Sequence, residues 1–205
     1  MTQGAHRPLI RRNRAGARAS RPLKIVVTGP FAAGKTSLIQ AISEVAVLGT
    51  EREISDDTRT SKDTTTVAMD FGRVSLGDGL SLLLFGTPGQ RRFEVMWEVL
   101  SEGMIGFVLL VNGADERSAA EAERQLETFR AYADVPFVVG VSHLDASGSD
   151  EAAALDGVRA RLGLGEDHEV VACDPRSRED VKAIMLRILF GVLRRLEPET
   201  AAASR

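Results

Sequence analysis

Eight residues, Gly29-Pro30-Phe31-Ala32-Ala33-Gly34-Lys35-Thr36, carry the spacing G-x-x-x-x-G-K-[ST]. A turn of this composition aims successive backbone N–H groups into one concavity, which suits a polyphosphate. The Lys35 ammonium would neutralise the outer phosphates, the Thr36 hydroxyl would hold Mg²⁺, and Ser37 would add a contact from the same helical turn, whose positive end faces the anion. The motif has this meaning only between a strand and a helix. Lys24 to Thr28 is a short β-rich run, and Ser37 to Leu48 sets Leu38, Ile39, Ile42, Val45 and Ala46 at helical spacing. A glycine-rich turn with a solvated lysine is the plainer alternative, and the agreement of the motif with both flanks weighs against it.

The elements that must hold this loop follow from the apolar pattern. Gly49 to Thr66 is polar and without period, so it reads as a loop. Strands are expected at Val67–Leu76 and Leu80–Phe85, joined by the hairpin signal Gly77-Asp78-Gly79. Further strands are expected at Ile105–Val111, Pro136–Val141 and Val170–Cys173. Helices are expected around Ala119–Ala133, Asp150–Leu162 and from Ser177 or Arg178 to Leu196, where Pro198 would end the last one. In that final helix Val181, Ile184, Met185, Ile188, Val192 and Leu196 are the inward set. The alternation predicts an α/β fold of three layers, a mostly parallel six-stranded sheet with one antiparallel edge strand. Ligands of such sheets bind beyond the carboxyl ends of the strands, where the Gly29–Thr36 loop must lie.

The chain of 205 residues is long enough for one well-buried domain. Its net charge is −3, but residues 1–21 hold six arginines and no acid, leaving 20 basic against 29 acidic groups after them. We therefore expect a basic, mobile arm at 1–21, a folded domain at 22–197 and a disordered tail at 198–205. The arm could meet anionic lipid, RNA or an acidic partner, or act simply as a solubilising leader. The acidic body argues against specific nucleic-acid binding. No apolar stretch is long enough to span a bilayer, so no transmembrane segment is expected. The arm lacks a secretory h-region, Thr2 stands where myristoylation needs glycine, and no prenylation motif ends the chain. The expected location is cytoplasmic, with any membrane recruitment through partners or the arm. Cys173 is the only cysteine, and His6, His143 and His168 share no metal-like spacing with it, so no disulfide or zinc site is expected.

A second segment points at the same ligand. The strand Leu80–Phe85 runs into Gly86-Thr87-Pro88-Gly89-Gln90, and Thr66-Val67-Ala68-Met69-Asp70-Phe71 precedes the hairpin. These phrases resemble switch II and switch I of small Ras-like GTPases. The resemblance covers roughly Leu23 to Leu196, and in detail the chain is similar to the actinobacterial conservon group of ATP/GTP-binding proteins. It implies that Gly89 meets the terminal phosphate, that Gln90 orients the attacking water, and that Thr66, with Thr64 and Thr65 close in register, contacts Mg²⁺ and the γ-phosphate. It also implies a Roadblock-type regulatory partner and a sensor-kinase-like neighbour. Gly86 departs from the Ras-like pattern, where an Asp binds Mg²⁺ through water. Metal would then be held by Thr36, Thr66, phosphate oxygens and water, with Asp63 or Asp70 assisting. Phe93, Met96, Trp97 and Leu100 form an apolar stripe after Gln90 that reads first as core and otherwise as a docking face.

Ser142-His143-Leu144-Asp145 stands where Ras-like proteins carry their guanine motif. Asp145 would accept hydrogen bonds from the base N1–H and N2–H₂, Ser142 would replace an Asn, and His143 would lie over the ring. Cys173-Asp174 occupies the second base-contacting loop, where the N–H of Asp174 would meet the base carbonyl. The expected function is a guanine-nucleotide switch that binds GTP or GDP with Mg²⁺ and hydrolyses GTP slowly, with Lys35 and Gln90 as the catalytic residues. A nonhydrolytic nucleotide-binding module and an ATP-using NTPase are the rivals.

Overall fold

The computed structural model describes residues 21–47, 69–89, 93–147 and 150–202. The arm before Arg21, the loop that contains Thr66, and Gln90 lie outside them. Strands β1 (Arg21–Thr28), β2 (Asp70–Gly77), β3 (Leu80–Gly86), β4 (Met104–Asn112), β5 (Phe137–Ser142) and β6 (Glu169–Ala172) form one sheet in the order β2-β3-β1-β4-β5-β6. All neighbours pair in parallel except β2 with β3. The expected sheet, with its reversed edge strand, is the one observed. The hairpin turns at Asp78 and Gly79, which both take positive φ, 46° and 77°, matching the right-handed twist of the strands it joins.

Helices α1 (Lys35–Ile42), α2 (Glu94–Ser101), α3 (Glu116–Tyr132), α4 (Leu144–Ser147), α5 (Glu151–Arg161) and α6 (Arg178–Ala202) complete the chain order. Among the described residues no helix is long and apolar enough to cross a membrane. Alternation along β1 divides the interior. Ile25 and Val27 face one core with Leu38 and Ile39 of α1 and Ile184 and Ile188 of α6. Val26 faces the other, with Trp97 of α2, Leu126 and Phe129 of α3 and Val158 of α5. The sheet is therefore covered on both sides, which is why β1, β4 and β5 are nearly continuous apolar runs. Of the stripe after residue 90, Trp97 and Leu100 are buried core, while Val95 and Val99 on the same helix are exposed.

Two helix ends and the burial of one side chain differ from the sequence reading. Helix α1 stops at Ile42 rather than reaching Leu48, and Val45 is exposed. Ser43 turns extended after its N–H closes on the Ile39 carbonyl, its Oγ accepts from the Arg73 N–H, and the Glu44 N–H donates to the Arg73 carbonyl. Pairing with β2 thus wins over another helical turn. Helix α6 passes Pro198 and runs to Ala202, so the segment 198–202 is helical where a disordered tail was expected. Leu196 is exposed rather than inward, beyond the last α6 side chains that pack on the core, Ile188 and the partly buried Leu189.

The Phe129 ring sits 5.8 Å from Trp97 and 5.5 Å from Phe107, centroid to centroid, and joins α3 to α2 and β4. Phe129→Ala is expected to lower the free energy of unfolding by about 3–5 kcal/mol. Urea titration followed by the emission of Trp97, the only tryptophan, measures it.

Candidate nucleotide site

Strands β1, β3, β4, β5 and β6 point their carboxyl ends to one edge of the sheet, and reversed β2 presents its first residue, Asp70, at the same edge. A cleft of about 1190 Å³ opens there, with Lys35, Thr36, Asp70, Gly89, Asp145 and Asp174 among its lining residues. Thus the Gly29–Thr36 loop, the end of β3 and both expected base loops meet around one cavity.

The loop leaves β1 and enters α1 through Gly34, which has φ 100° and serves as the helix N-cap. A side chain there would be strained, and its Cβ would fall 2.6 Å from the Pro175 ring. Among the described residues no side chain caps α1, so its first-turn amides keep their capacity for an anion. Pro30 and Ala33 are buried in the loop, while Phe31 is 71% exposed at the cleft rim. The Lys35 Nζ donates to the carbonyls of Gly29, at 2.7 Å, and Pro30, at 2.6 Å. Burial lowers its pKa to about 8, against the opposing pull of Asp70 and Glu121. Among the described residues the ammonium is thus held by carbonyl dipoles, without an ion pair.

The turn after β3 lies directly on this loop. A Cβ at Gly89 would stand 2.8 Å from the Phe31 nitrogen and 3.0 Å from Lys35 Nζ, so only glycine permits the approach. The turn is fixed from behind: the Thr87 N–H donates to the Val27 carbonyl, and Trp97 Nε1–H donates to the Pro88 carbonyl at 3.2 Å. Beneath it, Thr87 Oγ1 donates to Thr28 Oγ1 at 3.0 Å, and Thr28 Oγ1 donates to Gln125 Oε1 at 3.3 Å. Thr36 Oγ1 donates to Asp70 Oδ2 at 2.6 Å, the short spacing of a charge-assisted bond. Ser37 is half-buried in the first turn of α1 and lines the cleft.

At the other end the structure separates the expected base residues. Asp145 is exposed in α4 and lines the cleft, and His143 reaches it from a left-handed backbone, φ 60°. Ser142 does not face the cleft. It is fully buried, with its Oγ 3.0 Å from the Ala33 carbonyl, 3.2 Å from the Val111 carbonyl and 2.9 Å from His143 Nδ1. Its place is behind the phosphate loop, which it ties to β4 and β5. The Asp174 N–H, expected to meet a base, donates instead to Asp180 Oδ2 at 2.9 Å. Asp180 also accepts from the Ser177 hydroxyl at the start of α6, so helix capping has claimed that amide. The Cys173 thiol is pushed up to about 12, first by burial and then by Asp180 and Asp174, and stays protonated.

Sequence reasoning missed Arg176, which lines the cleft and forks onto both Asp174 carboxylate oxygens at 2.9 and 3.0 Å. These hydrogen bonds chiefly hold the Asp174 carboxyl below its usual range. The spacing Asp-Pro-Arg was visible, but nothing local shows that the pair closes over a cleft formed by distant strands.

The sequence model of a family described as "Conserved hypothetical ATP binding protein" matches residues 27–186. The chain is also similar to the uncharacterized protein MJ1339 of Methanocaldococcus jannaschii, at 29% identity over 132 residues, 62% of this chain and 74% of that protein.

The lowered pKa of Lys35 has a signed consequence. Between pH 8 and 10 the unfolded chain keeps a proton on this amine that the folded chain has begun to lose, so the burial penalty is relieved as pH rises. A tenfold difference in proton affinity between the two states corresponds to about 1.4 kcal/mol. Without ligand, Lys35→Met is expected to be more stable than the parent at pH 7, with an advantage that shrinks toward pH 10. Paired urea titrations across that range measure it.

Proposed function

The chain belongs to the family of conserved hypothetical ATP binding proteins, and on that premise we propose that it is a P-loop nucleoside triphosphatase that binds a purine nucleotide with Mg²⁺. The observation that carries this reading is the buried Lys35 ammonium beside uncapped α1 amides, at the edge where five strands end. A triphosphate entering this cleft offers Lys35 anionic oxygens in exchange for the Gly29 and Pro30 carbonyls, and the α1 amides take the adjacent phosphate oxygens. The Thr36 hydroxyl is a hard oxygen donor suited to Mg²⁺, with Thr66 as its proposed companion. Bound with the nucleotide, magnesium offsets the negative charge of the β- and γ-phosphates. Hydrolysis places a water oxygen on the γ-phosphorus while the bond to the β–γ bridging oxygen breaks, leaving nucleoside diphosphate, inorganic phosphate and a proton. In this scheme Gln90 orients the water, the Gly89 N–H receives a γ-oxygen, and Lys35 stabilises the charge on the leaving group. Turnover in such sites is slow, on the order of 10⁻⁴ per second without an arginine finger.

Two readings of the base stand side by side, each with its own support. The family description favours ATP. The exposed Asp145 carboxylate, after β5 and on the cleft, favours guanine, since it can accept from N1–H and N2–H₂ and would repel the N1 acceptor of adenine. The guanine reading makes the chain a Ras-like switch that signals through a protein partner.

Trp97, bonded to the Pro88 carbonyl, is a built-in reporter of the turn against the phosphate loop. Titration of the full chain with MgATP and MgGTP, read by Trp97 emission and by phosphate release, is expected to give binding at micromolar levels and turnover that Gln90→Leu reduces at least tenfold. Under the guanine reading Asp145→Asn weakens GTP at least tenfold and spares ATP; an unchanged affinity for both nucleotides removes that reading and leaves ATP. Absence of binding to both would end the nucleotide assignment.

A further inference from the structure

P-loop NTPases hold their magnesium with the loop Ser or Thr and with an Asp at a strand end. The corresponding end of β3 here is Gly86, which has no carboxylate to give. The notch left by Gly86 is not empty. In the antiparallel register Asp70 is the direct partner of Gly86, and opposed residues of such a pair project to the same face of the sheet. A Cβ built at Gly86 would lie 2.9 Å from Asp70 Cβ, 3.1 Å from Asp70 Oδ2 and 3.0 Å from the Ile39 methyl. The Asp70 side chain therefore fills the space in which an acid at position 86 would begin. It ends on the group such an acid would serve, since Oδ2 accepts from Thr36 Oγ1 at 2.6 Å.

We propose that Asp70 is the metal-facing carboxylate of this site, carried by β2 and reaching across the strand pair to the place that Gly86 vacates. The exchange explains both residues together. A side chain at 86 would displace Asp70, so glycine there is the condition for the carboxylate to arrive from the neighbouring strand. The donors are those a hard divalent cation takes, a hydroxyl and a carboxylate, with room left for phosphate oxygens and water. The reach is also conditional on the hairpin. Asp70 comes to the carboxyl-end edge only because β2 runs against β3.

The inference rests on the nucleotide reading above, and its test separates the two. Mn²⁺ serves as the probe, followed by its electron paramagnetic resonance signal in the full chain saturated with whichever of ATP or GTP it binds. Asp70→Asn keeps an oxygen that can accept from Thr36, so the fold and metal-free nucleotide binding in EDTA are expected to persist. The Mn²⁺ concentration for half-saturation is expected to rise about 10- to 100-fold. The double variant Asp70→Gly/Gly86→Asp returns the acid to β3 and removes the clash with Asp70, the nearer neighbour, while the end of Ile39 must give way. It is expected to recover most of the lost Mn²⁺ affinity. An unchanged half-saturation in Asp70→Asn overturns the proposal, as does a folded double variant that recovers nothing. If the parent binds nucleotide without immobilising Mn²⁺, the metal assignment falls and the nucleotide reading stands; if it binds neither nucleotide, both fall.

Discussion

A lysine ammonium folded back on its own loop is the interaction around which this edge of the molecule is arranged. Lys35 Nζ is held by the Gly29 and Pro30 carbonyls and reached by no carboxylate within hydrogen-bonding range among the described residues. A charge buried on those terms is expensive, as its lowered pKa records. The surroundings are built to tolerate it rather than cancel it. Asp70 and Glu121 supply field from a distance, and the Gly89 turn shields it from solvent at the closest approach a backbone allows. An ammonium neutralised by a neighbouring acid would be more comfortable and would have less to gain from a phosphate.

That arrangement depends on the framework behind it. Val27, Thr28 and Thr87 join the ends of β1 and β3 through one backbone and one hydroxyl bond, and Gln125 of α3 receives the Thr28 hydroxyl. Gln125 Nε2 is buried with no hydrogen-bond partner among the described residues, a loose end in an otherwise satisfied polar seam between the sheet and its helical cover. Such a seam is costly to rearrange in part, because every member that moves leaves another unpaired. The two turns that face the cleft are consequently anchored to the same rigid base.

Much of this was legible in the chain. The phosphate loop was, because its signal is local: glycines, lysine and threonine at fixed spacing between a β-rich run and an amphipathic helix. The sheet was legible from runs such as Ile105–Val111 and from the Gly77-Asp78-Gly79 turn, and the reversed edge followed from that hairpin. What escaped depends on pairings distant in sequence. Ser142 reads as a base contact until the buried carbonyl of Ala33 is seen to lie behind it. The Asp174 amide reads as free until Asp180 is found across the loop. Helix α1 reads as three turns until Ser43 and Glu44 are seen to pair with Arg73. In each case a local preference lost to a hydrogen bond that only the assembled sheet supplies.

Ser142 carries one hydroxyl hydrogen, yet three polar atoms stand within 3.2 Å of its oxygen, on the phosphate loop, on β4 and on its own neighbour. Because that oxygen is fully buried, bulk solvent cannot stand in for whichever partner goes without. The hydroxyl therefore ties the phosphate loop at Ala33 to the segment that carries His143 and Asp145, so a shift of either wall of the cleft is felt at the other through a single buried oxygen.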